Sequence, residues 1–452
     1  MKAAVHFVAA AANWSKLFSA RGAYFLWGLI AWSVLTGHAW AQTLVVNPSG
    51  WKPVPDSYFG MHVRWGGTTP SWPSVRFYAW RVITPETAWF GLQPQKNKWQ
   101  FSALDSAVAL AEKKSVEVML TLGQTPPWAA ARPLEKVPNG WGASSEPRNM
   151  SDWEHYVRTV VARYKGRIKY YELWNEPRFR EVDPKRAMAG FTGTARQMVE
   201  MGAIAKRVLK ELDLGARLVS PAVDARMIGL KRLEAWLDAG GGNVSDVIAY
   251  HIYATTPEEI PEVVGAIRGI LKKYGLGHLE LWNTESGFLI ESPDKPVKPI
   301  GGAVFAQVHT QIRGAAYMAR SQILGAVSGL DRFYWYAWDI PDMALSTGRG
   351  EHISVVGKAY AVVQRWLRGA SISECRSVDD LLWTCEMARG DRKAHLVWNI
   401  TGQKSWTVPA HWQARQYETL PGSRGSIDSA GRIQVDEAPI LIVSDDQDWG
   451  MP

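Results

Sequence analysis

Cysteine is nearly absent from this chain: only Cys375 and Cys385 occur in 452 residues. Two thiols are too few for a cysteine-built metal site, and the sequence around them offers no further ligands. They leave one disulfide, if two adjacent antiparallel strands bring them within bonding reach, or a pair of buried free thiols. Equally missing are any lysine- and arginine-rich block, zinc-finger spacing or RNA-binding signature, so no nucleic-acid partner is expected. Of the net charge of +8, three units (Lys2, Lys16 and Arg21) fall in the first 41 residues, which contain no acid. The mild remainder still permits an anionic partner such as an acidic polysaccharide. No glycine-rich phosphate loop follows any candidate strand, which argues against a nucleotide. There is no internal repeat and no low-complexity linker, and past residue 41 no apolar run is long enough to span a membrane. With 46% hydrophobic and 21% charged residues, the composition is that of a globular protein.

Tryptophan is what the chain has in excess: 24, of which Trp14, Trp27, Trp32 and Trp40 precede residue 42. Flat aromatic faces suit stacking against sugars or bases, although most such rings fill cores. The N-terminus reads as an address. An apolar run over 24–35 follows Lys16 and Arg21 and precedes Ala39-Trp40-Ala41, a small-x-small site before Gln42. Basic start, short apolar stretch and cleavage pattern together predict a signal peptide over 1–41 and a periplasmic or secreted protein. An uncleaved anchor is the alternative.

From about residue 55 onward, β-branched and aromatic runs alternate with helical patterns. Strands are expected over 58–62, 79–83, 116–122, 168–174, 217–222, 247–253, 279–284 and 333–338. Between them, Trp153, Tyr156, Val157, Val160 and Tyr164, and then Met198, Met201, Ile204, Ala205, Val208 and Leu212, recur at helical i, i+3, i+4 spacing. Eight strand–helix units predict an α/β fold, a (β/α)8 TIM barrel over 42–368. Runs at 381–385, 394–398, 406–408 and 440–443, separated by turn residues, predict a small C-terminal all-β, sandwich-like domain over 369–452. Val45 and Val46 are placed to add a strand to it.

Two strands of the barrel end in glutamate. The fourth runs into Leu173-Trp174-Asn175-Glu176-Pro177, and the seventh into Trp282-Asn283-Thr284-Glu285-Ser286-Gly287. Barrel active sites gather at the C-terminal ends of strands, so both carboxyls should face one cleft. Such a pair is what glycosidic bond cleavage requires, one carboxyl protonated and one ionised. Trp-Asn-Glu-Pro resembles the acid/base motif of glycoside hydrolase clan A, and Thr-Glu-Ser-Gly resembles its nucleophile motif. Gly123-Gln124-Thr125-Pro126-Pro127-Trp128-Ala129 is similar to a turn of family 39, whose members include xylosidases and bacterial exopolysaccharide hydrolases. The small terminal β domain also matches that family.

The resemblance implies Glu176 as general acid/base and Glu285 as nucleophile. It implies Asn175 as donor to the sugar 2-hydroxyl, and Arg81 as the cation that keeps the nucleophile ionised. His251 and Tyr253 match the clan His-x-Tyr, the tyrosine donating to the nucleophile. Trp338 is expected as floor of the sugar subsite, with His62 and Trp128 as further substrate-binding candidates. Plainer readings stand beside these. Arg81 could pair with a structural carboxylate, His251 and His62 could be core histidines, and Trp338 could be packing. Glu172 and Glu280 lie deeper on the same two strands, where a structural role is expected. The loop over 132–150, carrying Trp141, and the segment 84–90 depart from the family pattern and bear on substrate range.

The expected function is retaining hydrolysis of a β-linked poly- or oligosaccharide, preferably a bacterial exopolysaccharide, with no metal or organic cofactor. A β-xylosidase-like exo-enzyme and a non-catalytic carbohydrate-binding protein are the alternatives. Arg178, Arg180, Lys185 and Arg186 after strand four could pair with acidic sugars, or be neutralised by Glu181 and Asp183 as a solvated loop. Oligomeric state is not legible.

Overall fold

The structure, a computed structural model, describes residues 44–48, 50, 52–64, 72–137, 139–184, 190–224, 227–379, 381–443 and 449. The expected signal peptide lies outside the described residues, as do Lys185 and Arg186. Among the described residues no helix is long and apolar enough to cross a membrane.

Eight parallel strands close into a barrel: β1 (Phe59–Met61), β2 (Ala79–Val82), β3 (Glu117–Thr121), β4 (Tyr170–Glu172), β5 (Arg217–Val219), β6 (Val247–His251), β7 (Glu280–Ser286) and β8 (Arg332–Trp335). Each pairs with the next, and β8 returns to β1. The lumen is filled from alternate positions of these strands, with Ala79, Met119, Val219, Val247, Ala249, Trp282 and Tyr334 packed together. It is a core and not a pore.

Seven of the eight strands stop one to three residues short of their expected ends, and β7 runs on to Ser286. The ladder leaves β4 at Glu172 because Trp174 and Glu176 adopt positive φ (128° and 45°), which no strand continues through. β8 stops at Trp335; of the three residues beyond it Tyr336 is half-buried, and Ala337 and Trp338 are buried.

Among the described residues, β2 to β8 are each followed by a long helix: α1 (Ser102–Lys113), α2 (Met150–Arg163), α3 (Ala195–Leu212), α4 (Met227–Asp238), α5 (Ile260–Lys273), α6 (Gln311–Val327) and α7 (Val355–Leu367). The periodic residues read from the sequence form their buried stripes. Trp153, Tyr156, Val157 and Val160 are buried on α2, and Met198, Met201, Ala205 and Val208 on α3. Thr194 opens α3 with a reciprocal capping box to Gln197, a device worth about 1 kcal/mol. From Gly314 to Val327 every residue of α6 is buried, because the helix lies between the barrel and the β layer.

That layer is an antiparallel sheet built on β9 (Ser371–Ser377), β10 (Leu382–Arg389), β11 (Arg392–Asn399), β12 (Gln416–Thr419) and β13 (Ile440–Val443), with Leu44–Val46 paired to the edge of β9. Strand alternation gives it two faces. Cys375, Cys385, Leu396 and Leu441 point inward to the main core, where the two cysteines, directly opposite in the ladder, are disulfide-bonded. Leu382, Val397, Ile440 and Ile442 point outward and are covered by a two-stranded ribbon (Lys404–Thr407 with Arg432–Val435) through Ile433 and Val435. Trp398 bridges to the barrel by donating Nε1–H to Glu258 Oε1 at 3.1 Å.

Candidate active site

Where the chain leaves β4, it turns sharply enough to aim Glu176 into the barrel mouth. The Glu176 N–H donates to the Ala222 carbonyl at 2.9 Å, and Asn175 bridges to the same residue, tying the turn to the end of β5. Holding a glutamate in the left-handed region costs on the order of 1–3 kcal/mol. The turn is possible because Gly190 (φ 72°) lies against it: a Cβ there would stand 1.8 Å from the Glu176 carbonyl oxygen. The Glu176 side chain is 27% exposed.

Glu285 reaches the same space through a change of register. Along β6 and β7, Ala249 stands opposite Trp282 and Tyr250 opposite Asn283, but His251 stands opposite Glu285. One extra residue sits in β7, and it reverses the alternation. Without it Thr284 would face the lumen beside His251; with it Glu285 does. His62 braces this bulge, its Nε2–H donating to the Thr284 carbonyl at 2.9 Å.

Arg81 organises the cleft from β2. Its Nη1 donates to Glu285 Oε2 at 2.9 Å, its Nη2 to Asn175 Oδ1 at 2.7 Å, and Nε and Nη2 both donate to Glu172 Oε2 at 2.9 and 2.6 Å. Thr121 adds a hydroxyl to the same Glu172 oxygen at 2.8 Å. Glu172 is thus the structural carboxylate, fully buried, that holds the guanidinium flat beneath the site. Charge-assisted pairs of this kind lose most when one member is removed. Tyr253 donates its hydroxyl to Glu285 Oε1 at 2.6 Å, so both oxygens of Glu285 accept a hydrogen bond. With Asn175 Oδ1 taken by Arg81, the amide NH2 is the part of its side chain left to donate.

Between the glutamates stands His251, completely buried, with Nδ1 at 2.9 Å from Glu176 Oε1 and 4.0 Å from Glu285 Oε1. One polar atom from each of the three residues can be chosen so that all lie within 4.8 Å of one another. Burial pushes Glu176 above the ordinary carboxylate range, against the pull of Arg178, Arg81 and Arg232. Burial likewise pushes the His251 ring below its usual value, so it is neutral near pH 7. The three atoms are also close enough to be bridged by a divalent ion. Glu285 already accepts from Arg81 and Tyr253, however, and such an ion would sit against the buried Arg81 cation.

Several expected residues stand elsewhere. Trp338 is fully enclosed, donates Nε1–H to the Gly350 carbonyl at 3.3 Å, and has no face to offer a sugar. The aromatic at the mouth is Tyr336, half-buried, set edge-to-face on His62 at 5.0 Å; burial and the nearby Glu285 push its hydroxyl up to about 12. The sequence places two aromatic rings two positions apart after β8, and only the exit point of the strand decides which one faces the cleft. His62 is itself buried, supporting Thr284 and Tyr336 instead of meeting solvent. Trp128 packs edge-on against Trp89, donates to the Gln93 carbonyl at 2.9 Å and carries Lys96 Nζ over its ring, which ties it to the loop after β2.

The described part of the basic loop after β4 makes contacts within the protein. Arg180 donates to the Thr192 carbonyl, and Glu181 accepts from the Ala195 N–H at the start of α3. Asp183 pairs with the buried Arg232 at 2.6 Å and does not neutralise the loop arginines. Arg178 stands 3.7 Å from Asp224, which also pairs with Arg232, and its charge acts on Glu176. Asp224 lies on the two-residue strand Val223–Asp224 that pairs with the end of β6, opposite His251. A lone aspartate after Ala-Val gave no motif to find it by.

No protein-family model matches this sequence, and no curated protein matches it. Solved structures do. A GH30 endoxylanase from Clostridium papyrosolvens superposes with a TM-score of 0.57 at 13% identity, over 88% of this chain and 99% of that one. A glucosidase from Croceicoccus marinus gives 0.57 at 15% identity, over 88% and 98%. A GH39 enzyme from Xanthomonas axonopodis pv. citri gives 0.55 at 14% identity, over 88% and 96%. The barrel with its added antiparallel sheet is therefore the fold that these glycoside hydrolases share, over nearly their whole length.

Proposed function

We propose that this protein is a retaining glycoside hydrolase that cleaves a β-linked poly- or oligosaccharide outside the cytoplasm. One observation carries the reading: an oxygen of Glu176 and an oxygen of Glu285 approach within 4.8 Å across the barrel mouth. Retaining enzymes hold their two carboxyl groups about 5–5.5 Å apart, whereas inverting enzymes leave roughly 6.5–9.5 Å for a water. Glu285, fixed by Arg81 and Tyr253, attacks the anomeric carbon and forms a glycosyl ester. Glu176, whose burial favours the protonated form, gives its proton to the leaving oxygen and then takes one from the incoming water. The Asn175 amide donates to the sugar 2-hydroxyl, and Tyr336 forms the floor of the subsite.

A bacterial exopolysaccharide is the preferred substrate, supported by the export-like N-terminus and by the family 39 resemblance. An exo-acting xyloside hydrolase is the second reading, and the structural relatives include an endoxylanase. A binding protein without turnover is disfavoured because both glutamates stand in working geometry. The test is a dinitrophenyl glycoside series with rapid-quench detection. A burst of dinitrophenolate with a glycosylated Glu285 peptide is expected, and no release across xyloside, glucoside and galactoside would refute hydrolysis. Product masses from purified exopolysaccharides and xylans then assign the polymer.

A further inference from the structure

Away from the barrel mouth, the outer face of the β layer is covered over only part of its width. Where Ile433 and Val435 lie on it, Leu382, Val397, Ile440 and Ile442 are buried. Beyond that cover the same face stays open as a groove of about 410 Å³. Its floor is the cross-strand row Glu374, Glu386 and His395, set side by side by the register of β9, β10 and β11. Its wall is the 404–412 segment, which contributes the half-buried Trp406 and Trp412 and the exposed His411. The His395 ring stacks flat on Trp412, centroids 3.6 Å apart and planes 3° from parallel. Trp406 stands 5.5 Å from Trp412 at 58°, so the two indoles form an angled corner. The floor charges are paired, Arg376 with Glu374 and Lys393 with Glu386 at 3.8 Å.

This combination selects a ligand chemistry. Indoles left partly open at a rim take the apolar face of a flat, hydroxylated ring. Paired charges offer donors and acceptors to hydroxyls while presenting no net field, which suits a sugar chain better than an anion. The volume lies in the range of small-ligand clefts. Nothing in the proposed reaction uses these residues. We propose that this groove is a second, non-catalytic site that holds a pyranose chain, namely the polysaccharide cleaved in the barrel; the identity of that chain rests on the glycosidase reading.

The test is affinity electrophoresis of the full chain through gels containing xylan, xyloglucan or a purified bacterial exopolysaccharide, with Glu285→Gln as the non-cleaving parent. The double variant Trp406→Ala, Trp412→Ala should weaken retention about tenfold. In the active background it should leave hydrolysis of a small aryl glycoside unchanged. His411→Ala, which removes an exposed ring and no core contact, should weaken retention about threefold and carries the test if the double variant melts early. Unchanged retention in a folded variant, with polymer still cleaved by the wild type, overturns the groove and spares the glycosidase. Groove-dependent retention without any hydrolysis does the reverse. Failure of the parent to be retained by any gel also overturns the groove.

Discussion

His251 Nδ1 lies 2.9 Å from Glu176 Oε1, while the opposite ring nitrogen, Nε2, is buried with no hydrogen-bond partner among the described residues. A neutral ring with its proton on Nδ1 serves both atoms: it donates to the glutamate and leaves no N–H stranded. Oε1 is thereby occupied, and on the proposed mechanism the acid proton belongs on Oε2. His251 thus orients the carboxyl as well as lining the cleft.

Removing that carboxyl separates substrates by leaving group. Glu176→Ala should slow alkyl glycosides by at least about a hundredfold but spare dinitrophenyl glycosides, which need no protonation. Azide should then intercept the accumulated ester and yield a β-glycosyl azide, identified by mass and NMR. Equal damage to both substrate types would assign the acid elsewhere.

The alkaline side of the pH profile should respond to Arg178. Kcat/KM needs Glu176 protonated and falls as that proton is lost. Burial raises its pKa, and Arg178 is the largest influence opposing the rise. Arg178→Met removes this opposition, so the alkaline limb should move to higher pH. Profiles on a poor leaving group decide the matter; a shift to lower pH contradicts the electrostatics.

Gly190→Ala tests the turn that aims the acid. Its Cβ would meet the Glu176 carbonyl oxygen, and φ at this position is 72°. A tenfold or larger fall in kcat with little change in KM is expected on a substrate needing protonation. Wild-type kinetics in a folded variant would show that the turn has slack.

Tyr336 and Trp338 should separate cleanly. Tyr336→Ala should lower kcat/KM at least about tenfold while altering the melting temperature little. Trp338→Phe opens space in a closed core and should cost about 1–3 kcal/mol of stability, read by denaturant melts, with kinetics preserved. The opposite pattern would return Trp338 to the sugar.

Much of this is legible in the sequence because the signals are local and periodic. Apolar runs of strand length alternating with amphipathic helices led to eight barrel strands, and Trp-Asn-Glu-Pro and Thr-Glu-Ser-Gly marked their ends. Arg81 and Tyr253, placed by resemblance, do meet Glu285. What escaped depends on where a strand stops. Trp338 and Tyr336 are alike in composition and opposite in exposure, since β8 ends at Trp335. Asp224 escaped because only the register of a two-residue strand sets it opposite His251. The closing of Arg178 and Arg232 around it is a long-range fact with no sequence period.

The extra residue in β7 has a consequence for the whole class of folds built this way. A strand counts in twos, and Trp282 and Glu285, three apart, can both face inward only if the count slips once between them. Were the strand to keep its count through Thr284, a threonine hydroxyl would face the cleft in place of the carboxyl. On the proposed mechanism such a chain could form no glycosyl ester. A single backbone step thus decides whether a carboxylate or a hydroxyl stands opposite His251.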